Sequence, residues 1–227
     1  MPDATPETPT RRLTDIHAEM AKACKIAKRS TDDVTLIAVS KTRDADEIRP
    51  LLDAGHRMFG ENRVQEAASK WPDLRTAYPD IQLHLIGQLQ SNKAEEAVEL
   101  FDCIHSLDRL SLLSTLSKAM TKAGKQVPCF IQVNIGEEEQ KGGCAIAELP
   151  GLLDAAKAAH IEVVGLMCIP PADVEPAPFF ALLAELAARH DLSQLSMGMS
   201  EDFPTAIMLG ATYIRVGTAL FGARTAG

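Results

Sequence analysis

Lys41 closes the apolar run LIAVSKT (36–42), and an amine at the end of a buried strand is placed either to reach solvent or to react. A lysine amine has an ordinary pKa of about 10.4; it turns nucleophilic when desolvation or a nearby cation frees its lone pair, and it then forms Schiff bases with carbonyl compounds. Two later segments supply a complement to that amine. In SMGMS (196–200), Ser200 precedes an acidic helix start at Glu201 and Asp202, so its hydroxyl and the following amides suit an anion. In RVGT (215–218), Gly217 lets the backbone approach closely and Thr218 offers a hydroxyl. SMGMS alone reads as an ordinary loop with an N-cap serine; paired with RVGT on the neighbouring strand it reads as a phosphate cradle. An amine beside such a cradle implies a phosphorylated aldehyde or ketone, which is a sugar phosphate or pyridoxal 5′-phosphate. Arg215 lies two residues before Gly217 and therefore on the same side of its strand. An interior arginine needs an acceptor, either a structural carboxylate such as Glu61 or the ring nitrogen of a cofactor.

The elements that must position these residues alternate regularly. A helical stripe (Leu13, Ile16, Met20, Ala23, Ile26) predicts a helix from about Leu13 to Lys28. Short apolar runs then alternate with amphipathic segments: LIAVS, RMFGE, IQLHLIG, FDCIHSL, PCFIQVNIG, IEVVGLMCI, QLSMGM and TYIRVG, each but the last followed by a helical pattern. Eight β/α repeats in unbroken series predict a single (β/α)8 TIM barrel of parallel strands with an extra N-terminal helix; an open doubly wound sheet is the alternative, weakened by the lack of G-x-G-x-x-G after the first strand. Asp44, Ser91 and Asp108 are placed to cap helix N-termini, and Gly55, Gly124 and Gly210 to close helices. In such a barrel the site forms at the C-terminal ends of the strands. Lys41, Glu61, Asn62, Gly87, Gln88, Asn134, Met167 and the SMGMS and RVGT segments all fall on that rim.

The 227 residues carry a formal charge of −8 and are 46 % hydrophobic, which provides for a sizeable core and disfavours a partner that is nucleic acid or an anionic membrane. Any phosphate is therefore held by local geometry. The five cysteines form no C-x-x-C pair, so no metal site and no disulfide framework is expected, and a cytoplasmic location fits. No apolar run reaches the roughly 18 residues of a membrane span. Residues 1–12 read as a disordered leader to one barrel domain at 13–227.

The segments AVSKT, FGENRVQE, LHLIGQLQSNK, GLMCIPP, LSMGMS and IRVGTALFGAR, in that order across nearly the whole chain, resemble the pyridoxal phosphate homeostasis protein family. The resemblance implies the fold-type III barrel related to the N-terminal domain of alanine racemase. It also implies that Lys41 carries pyridoxal 5′-phosphate as an internal aldimine, with Ser200, Gly217 and Thr218 at the phosphate and Arg215 at the pyridine nitrogen. Asn62 and Met167 match residues lining the cofactor. One position departs from the family pattern: Leu83 stands where an aromatic usually precedes the His-x-Ile-Gly segment.

Arginine at the ring nitrogen donates a hydrogen bond without giving up its proton, which weakens the cofactor as an electron sink. A racemase of this fold also needs a second acid/base; Tyr78 lies in the loop before strand three and Tyr213 inside strand eight, neither well placed. The sequence therefore reads as a carrier that stores the cofactor and delivers it to apo-enzymes, with no catalytic residue, as a monomer or weak dimer. A pyridoxal-phosphate-dependent racemase or lyase is the alternative. A Schiff-base aldolase is disfavoured, because Arg215 would then have no ring nitrogen to meet.

Overall fold

The computed structural model describes residues 8–222. Helix α1 (Pro9–Ala27) starts earlier than the apolar stripe predicts: the Thr8 hydroxyl accepts the Arg11 amide at 3.3 Å, and Pro9, which lacks an N–H, suits the first helical position. Residues 8–12, expected to belong to a leader, are thus a capped helical turn, while 1–7 lie outside the described residues. The stripe Leu13, Ile16, Met20 and Ala23 is buried as expected, but Ile26 is 70 % exposed.

After α1 the strands and helices alternate as predicted: β1 (Thr35–Val39), α2 (Ala45–Asp53), β2 (Met58–Glu61), α3 (Val64–Ala77), β3 (Gln82–Leu85), α4 (Ala94–Leu100), β4 (Cys103–Leu107), α5 (Leu110–Ala123) and β5 (Cys129–Gln132). The second half continues with α6 (Leu149–Ala158), β6 (Val163–Met167), α7 (Ala177–Arg189), β7 (Gln194–Ser196), α8 (Phe203–Met208), β8 (Tyr213–Val216) and the short α9 (Thr218–Phe221). Each strand pairs in parallel with the next, and β8 pairs with β1, Arg215 beside Ile37, which closes the barrel. Helix α1 packs against α2, α8 and α9 across that closure.

Strand alternation divides the apolar side chains between two cores. Outward residues such as Phe59 and Leu83 join the helix-facing shell with Trp71 and Phe101, whereas Cys103, Phe130 and Met167 pack inside the barrel against Val164 and Tyr213. Asp44 caps α2 in a reciprocal box with Glu47, and Gly55, Gly124 and Gly210 take positive φ beyond their helices, as expected. Two expected caps are not made. Ser91 opens a 3-10 turn that precedes α4, and Asp108 turns its carboxylate to Arg109 at 2.6 Å and to the Gly143 amide at 3.4 Å. Arg109 occupies the cap position of α5 without a side-chain bond.

Candidate cofactor site

A cleft of about 340 Å³ opens at the C-terminal ends of β1, β2, β7 and β8, within the size range of small-ligand sites. Lys41, Asn62, Ser200, Arg215, Gly217 and Thr218 all line it. Closure of β1 onto β8 brings Lys41 to residues more than 150 positions later in the chain. Met167 does not line the cleft; it lies in the interior cluster with Phe130 and Cys103, one layer down.

The local backbone explains several placements. Val39 and Gly60 are register partners that face inward, so Glu61, the next residue, faces outward between strand and helix. There it is fully buried and bonded to Ser40, Lys70 and Trp71. Burial raises its pKa, and the Lys70 ammonium and the three hydrogen bonds work against that rise. Glu61 therefore belongs neither to the cleft nor to Arg215. Gly87 lets the Asn62 backbone pass close: a Cβ there would stand 2.3 Å from the Asn62 carbonyl oxygen, so only glycine allows Asn62 its place on the rim. Gln88 and Asn134 bond across the far side of the mouth, Gln88 to Gln132 at 3.1 Å and Asn134 to the Glu138 backbone, and line no part of the cleft.

The two loops expected to cradle an anion are tied to each other. The Ser200 hydroxyl accepts the Ala219 amide at 3.3 Å, which joins the β7 loop to α9. Ser200 is not the cap of α8, which begins later, at Phe203, and Asp202 closes that turn by accepting the Met199 amide at 2.5 Å. Burial raises the Asp202 pKa, while the Met199 bond and Arg215 oppose the shift. Three cationic side chains (Lys41, Arg43, Arg215) face two carboxylates (Glu201, Asp202) in the lining, so the site is locally cationic within an acidic protein.

Arg215 is 4 % exposed and makes two hydrogen bonds, from Nη1 to Ser196 Oγ at 2.7 Å and from Nη2 to the Cys168 carbonyl at 2.9 Å. Among the described residues no carboxylate lies within ion-pair distance of it. A buried guanidinium with spare donors at the edge of a cleft calls for an acceptor from the cleft itself, and a pyridine nitrogen supplies one. The residues present thus fit pyridoxal 5′-phosphate: an amine for its carbonyl, donors for its phosphate and Arg215 for its ring nitrogen.

Residues 15–225 match the family described as alanine racemase, N-terminal domain. The pyridoxal phosphate homeostasis protein of Pseudomonas aeruginosa is 40 % identical over 97 % of both chains. The chain belongs to the pyridoxal phosphate homeostasis protein family. PipY of Synechococcus elongatus PCC7942, solved with PLP bound, is 40 % identical with a TM-score of 0.78 over 90 % of this chain and all of PipY. Alanine racemase of Clostridium difficile 630, at 14 % identity and a TM-score of 0.66, shares the fold over 93 % of this chain and 57 % of the racemase.

This family member also contains a polar file that sequence reasoning missed. Ser196 Oγ lies 2.8 Å from His105 Nδ1, and His105 Nε2 lies 2.8 Å from His84 Nδ1, so hydrogen bonds run from Arg215 through the barrel interior to β3. Burial pushes His84 down to about 4 and holds His105 well below its ordinary value, keeping both rings neutral beside the guanidinium. If Arg215 donates to Ser196, Ser196 to His105 and His105 to His84, each acceptor is filled once. The alternation of CIHSL, with Cys103 and His105 on one side, was the signal in sequence. The registers that bring His105 to Ser196 were not. Arg43 and Met199 also line the cleft, next in sequence to residues already singled out.

Proposed function

We propose that this chain binds pyridoxal 5′-phosphate in the mouth cleft, holds it through Lys41 and delivers it to apo-enzymes of the cytoplasm without turning over amino acids. The observation that carries this reading is the buried Arg215, with no carboxylate at ion-pair distance among the described residues, lining the same cleft as Lys41. When bound, pyridoxal 5′-phosphate supplies an electrophilic carbon and an electron-withdrawing ring. The Lys41 amine would hold it covalently and reversibly. The Ser200 and Thr218 hydroxyls, with the Thr218 amide at the start of α9, would bind the phosphate. Gly217 keeps this wall open, since a Cβ there would stand 3.3 Å from Val39. Arg215 keeps its proton, so it orients the ring without making it a strong electron sink. Asn62 would contact the ring face, and Met167 would support the floor from one layer below. Tyr78 bonds to Asp53 at 2.5 Å, and Tyr213 packs 5.4 Å from Phe130 in the interior; neither tyrosine lines the cleft, and no second acid/base is assigned. All five cysteines are buried free thiols, compatible with a reducing compartment, and no described helix is long and apolar enough to cross a membrane.

Reconstitution tests the reading. The protein is expected to turn yellow with the cofactor, borohydride to fix the label on Lys41, and an apo-enzyme to gain activity from the loaded protein. A Lys41→Ala variant that stays yellow with unchanged cofactor content would overturn the site. Sustained turnover of single L-amino acids would replace the carrier by a racemase or lyase. Sedimentation of the loaded protein checks the expected monomer or weak dimer.

A further inference from the structure

Lys41 stands on a turn that a buried cation grips from behind. Lys70, on α3, has a side chain only 8 % exposed, and its ammonium donates to the carbonyls of Ser40 at 2.8 Å and Arg43 at 2.9 Å, which bracket Lys41 and Thr42. Two carboxylates balance that charge: Glu61 Oε1 at 2.8 Å and Glu66 Oε1 at 3.1 Å. Both also reach the turn themselves, since Glu61 accepts the Ser40 hydroxyl at 2.6 Å and Glu66 accepts the Thr42 amide. From the other side, Arg43 donates to the Gly222 carbonyl at 2.6 Å.

The grip has a backbone reason. Thr42 has φ 61°, a left-handed conformation that a β-branched residue rarely adopts, and such a residue persists only where its surroundings over-determine it. A buried ion pair is a costly way to fill space that apolar side chains could fill. Here its atoms are spent on the two peptides flanking a reactive amine. Neither Lys70 nor Glu66 lines the cleft, so neither can act on a ligand directly.

We propose that Lys70, together with Glu66, is a positioning device that locks the Ser40–Arg43 turn so that the Lys41 amine faces the cleft before any ligand arrives. The inference rests on the proposed role of Lys41 and adds how that amine is aimed. A misplaced reacting group can cost about a hundredfold in rate.

The test compares wild type, Glu66→Ala and Lys70→Met, with pyridoxal 5′-phosphate as the probe. Two quantities are read: the second-order rate at which the lysine-bound absorbance appears, and amide hydrogen exchange across residues 41–43 in cofactor-free protein. The expected result is slower attachment, about tenfold for Glu66→Ala and up to about a hundredfold for Lys70→Met, with faster exchange in the turn. Lys70→Met leaves Glu61 buried without its counter-ion and can fail to fold. Glu66, 26 % exposed, can be truncated without that penalty and decides the matter alone. Attachment within twofold of wild type in a cooperatively melting Glu66→Ala protein, or unchanged exchange in its turn, overturns the inference. A wild type that neither turns yellow nor takes borohydride label at Lys41 defeats the proposed function instead, and the exchange comparison still judges the turn.

Discussion

Replacing Ser196 by alanine removes one oxygen that two buried groups share. Arg215 Nη1 and His105 Nδ1 meet it at 2.7 and 2.8 Å, and Ser196 is fully buried. A hydrogen bond to a charged donor contributes about 1.5–3 kcal/mol, and leaving a buried polar atom unpaired costs about 1–3 kcal/mol. Arg215 keeps its bond to the Cys168 carbonyl and its access to the cleft, which lowers the expected loss to about 3 kcal/mol. Against a typical total of about 5–15 kcal/mol, that is a large fraction. Urea unfolding of cofactor-free protein at pH 7, followed by fluorescence of the single tryptophan, Trp71, measures it directly. The midpoint is expected to fall with an unchanged slope, because the surface exposed on unfolding is the same. Affinity for pyridoxal 5′-phosphate should fall too, since Arg215 loses one of its two anchors, and Ser196→Thr, which restores a hydroxyl, should recover part of both. A loss below about 1 kcal/mol would mean that the hydroxyl does not carry the network.

Two further outcomes follow from the same interior and rim. The folded-state pKa of His84 is depressed to about 4, below the ordinary value of 6.5, so the unfolded chain binds the extra proton first: the stability it contributes is present above pH 6.5 and is lost as pH falls towards 4. At about 1.36 kcal/mol per unit this amounts to ~3 kcal/mol, and a His84→Phe protein should show a correspondingly flatter profile of unfolding free energy between those pH values. Gly87→Ala drives a Cβ to 2.3 Å from the Asn62 carbonyl, and the backbone must shift to relieve it. The cost should be about 1–3 kcal/mol in urea unfolding, with weaker cofactor binding because Asn62 moves; a neutral substitution would show that this crossing is slack.

The repeat pattern by itself determined the barrel, since eight parallel strands joined by helices leave few other ways to bury both faces of each strand. The period of two determined that Arg215 and Gly217 share a side, and the strand-end rule alone placed Lys41, Ser200 and Thr218 on one rim. Only the tertiary structure decided which inward residues meet. Register and strand tilt set Met167 below the cleft, stacked Ser196 on His105 and His105 on His84, and turned Glu61 outward to Lys70. Such contacts depend on the relative height of strands that are distant in sequence, and hydrophobic periodicity carries no information about that height. For the same reason Lys41 was singled out in sequence by its company, SMGMS and RVGT on the same rim, while the Lys70 contacts to its turn, contributed by a helix 30 residues away, appeared only once α3 was packed against it.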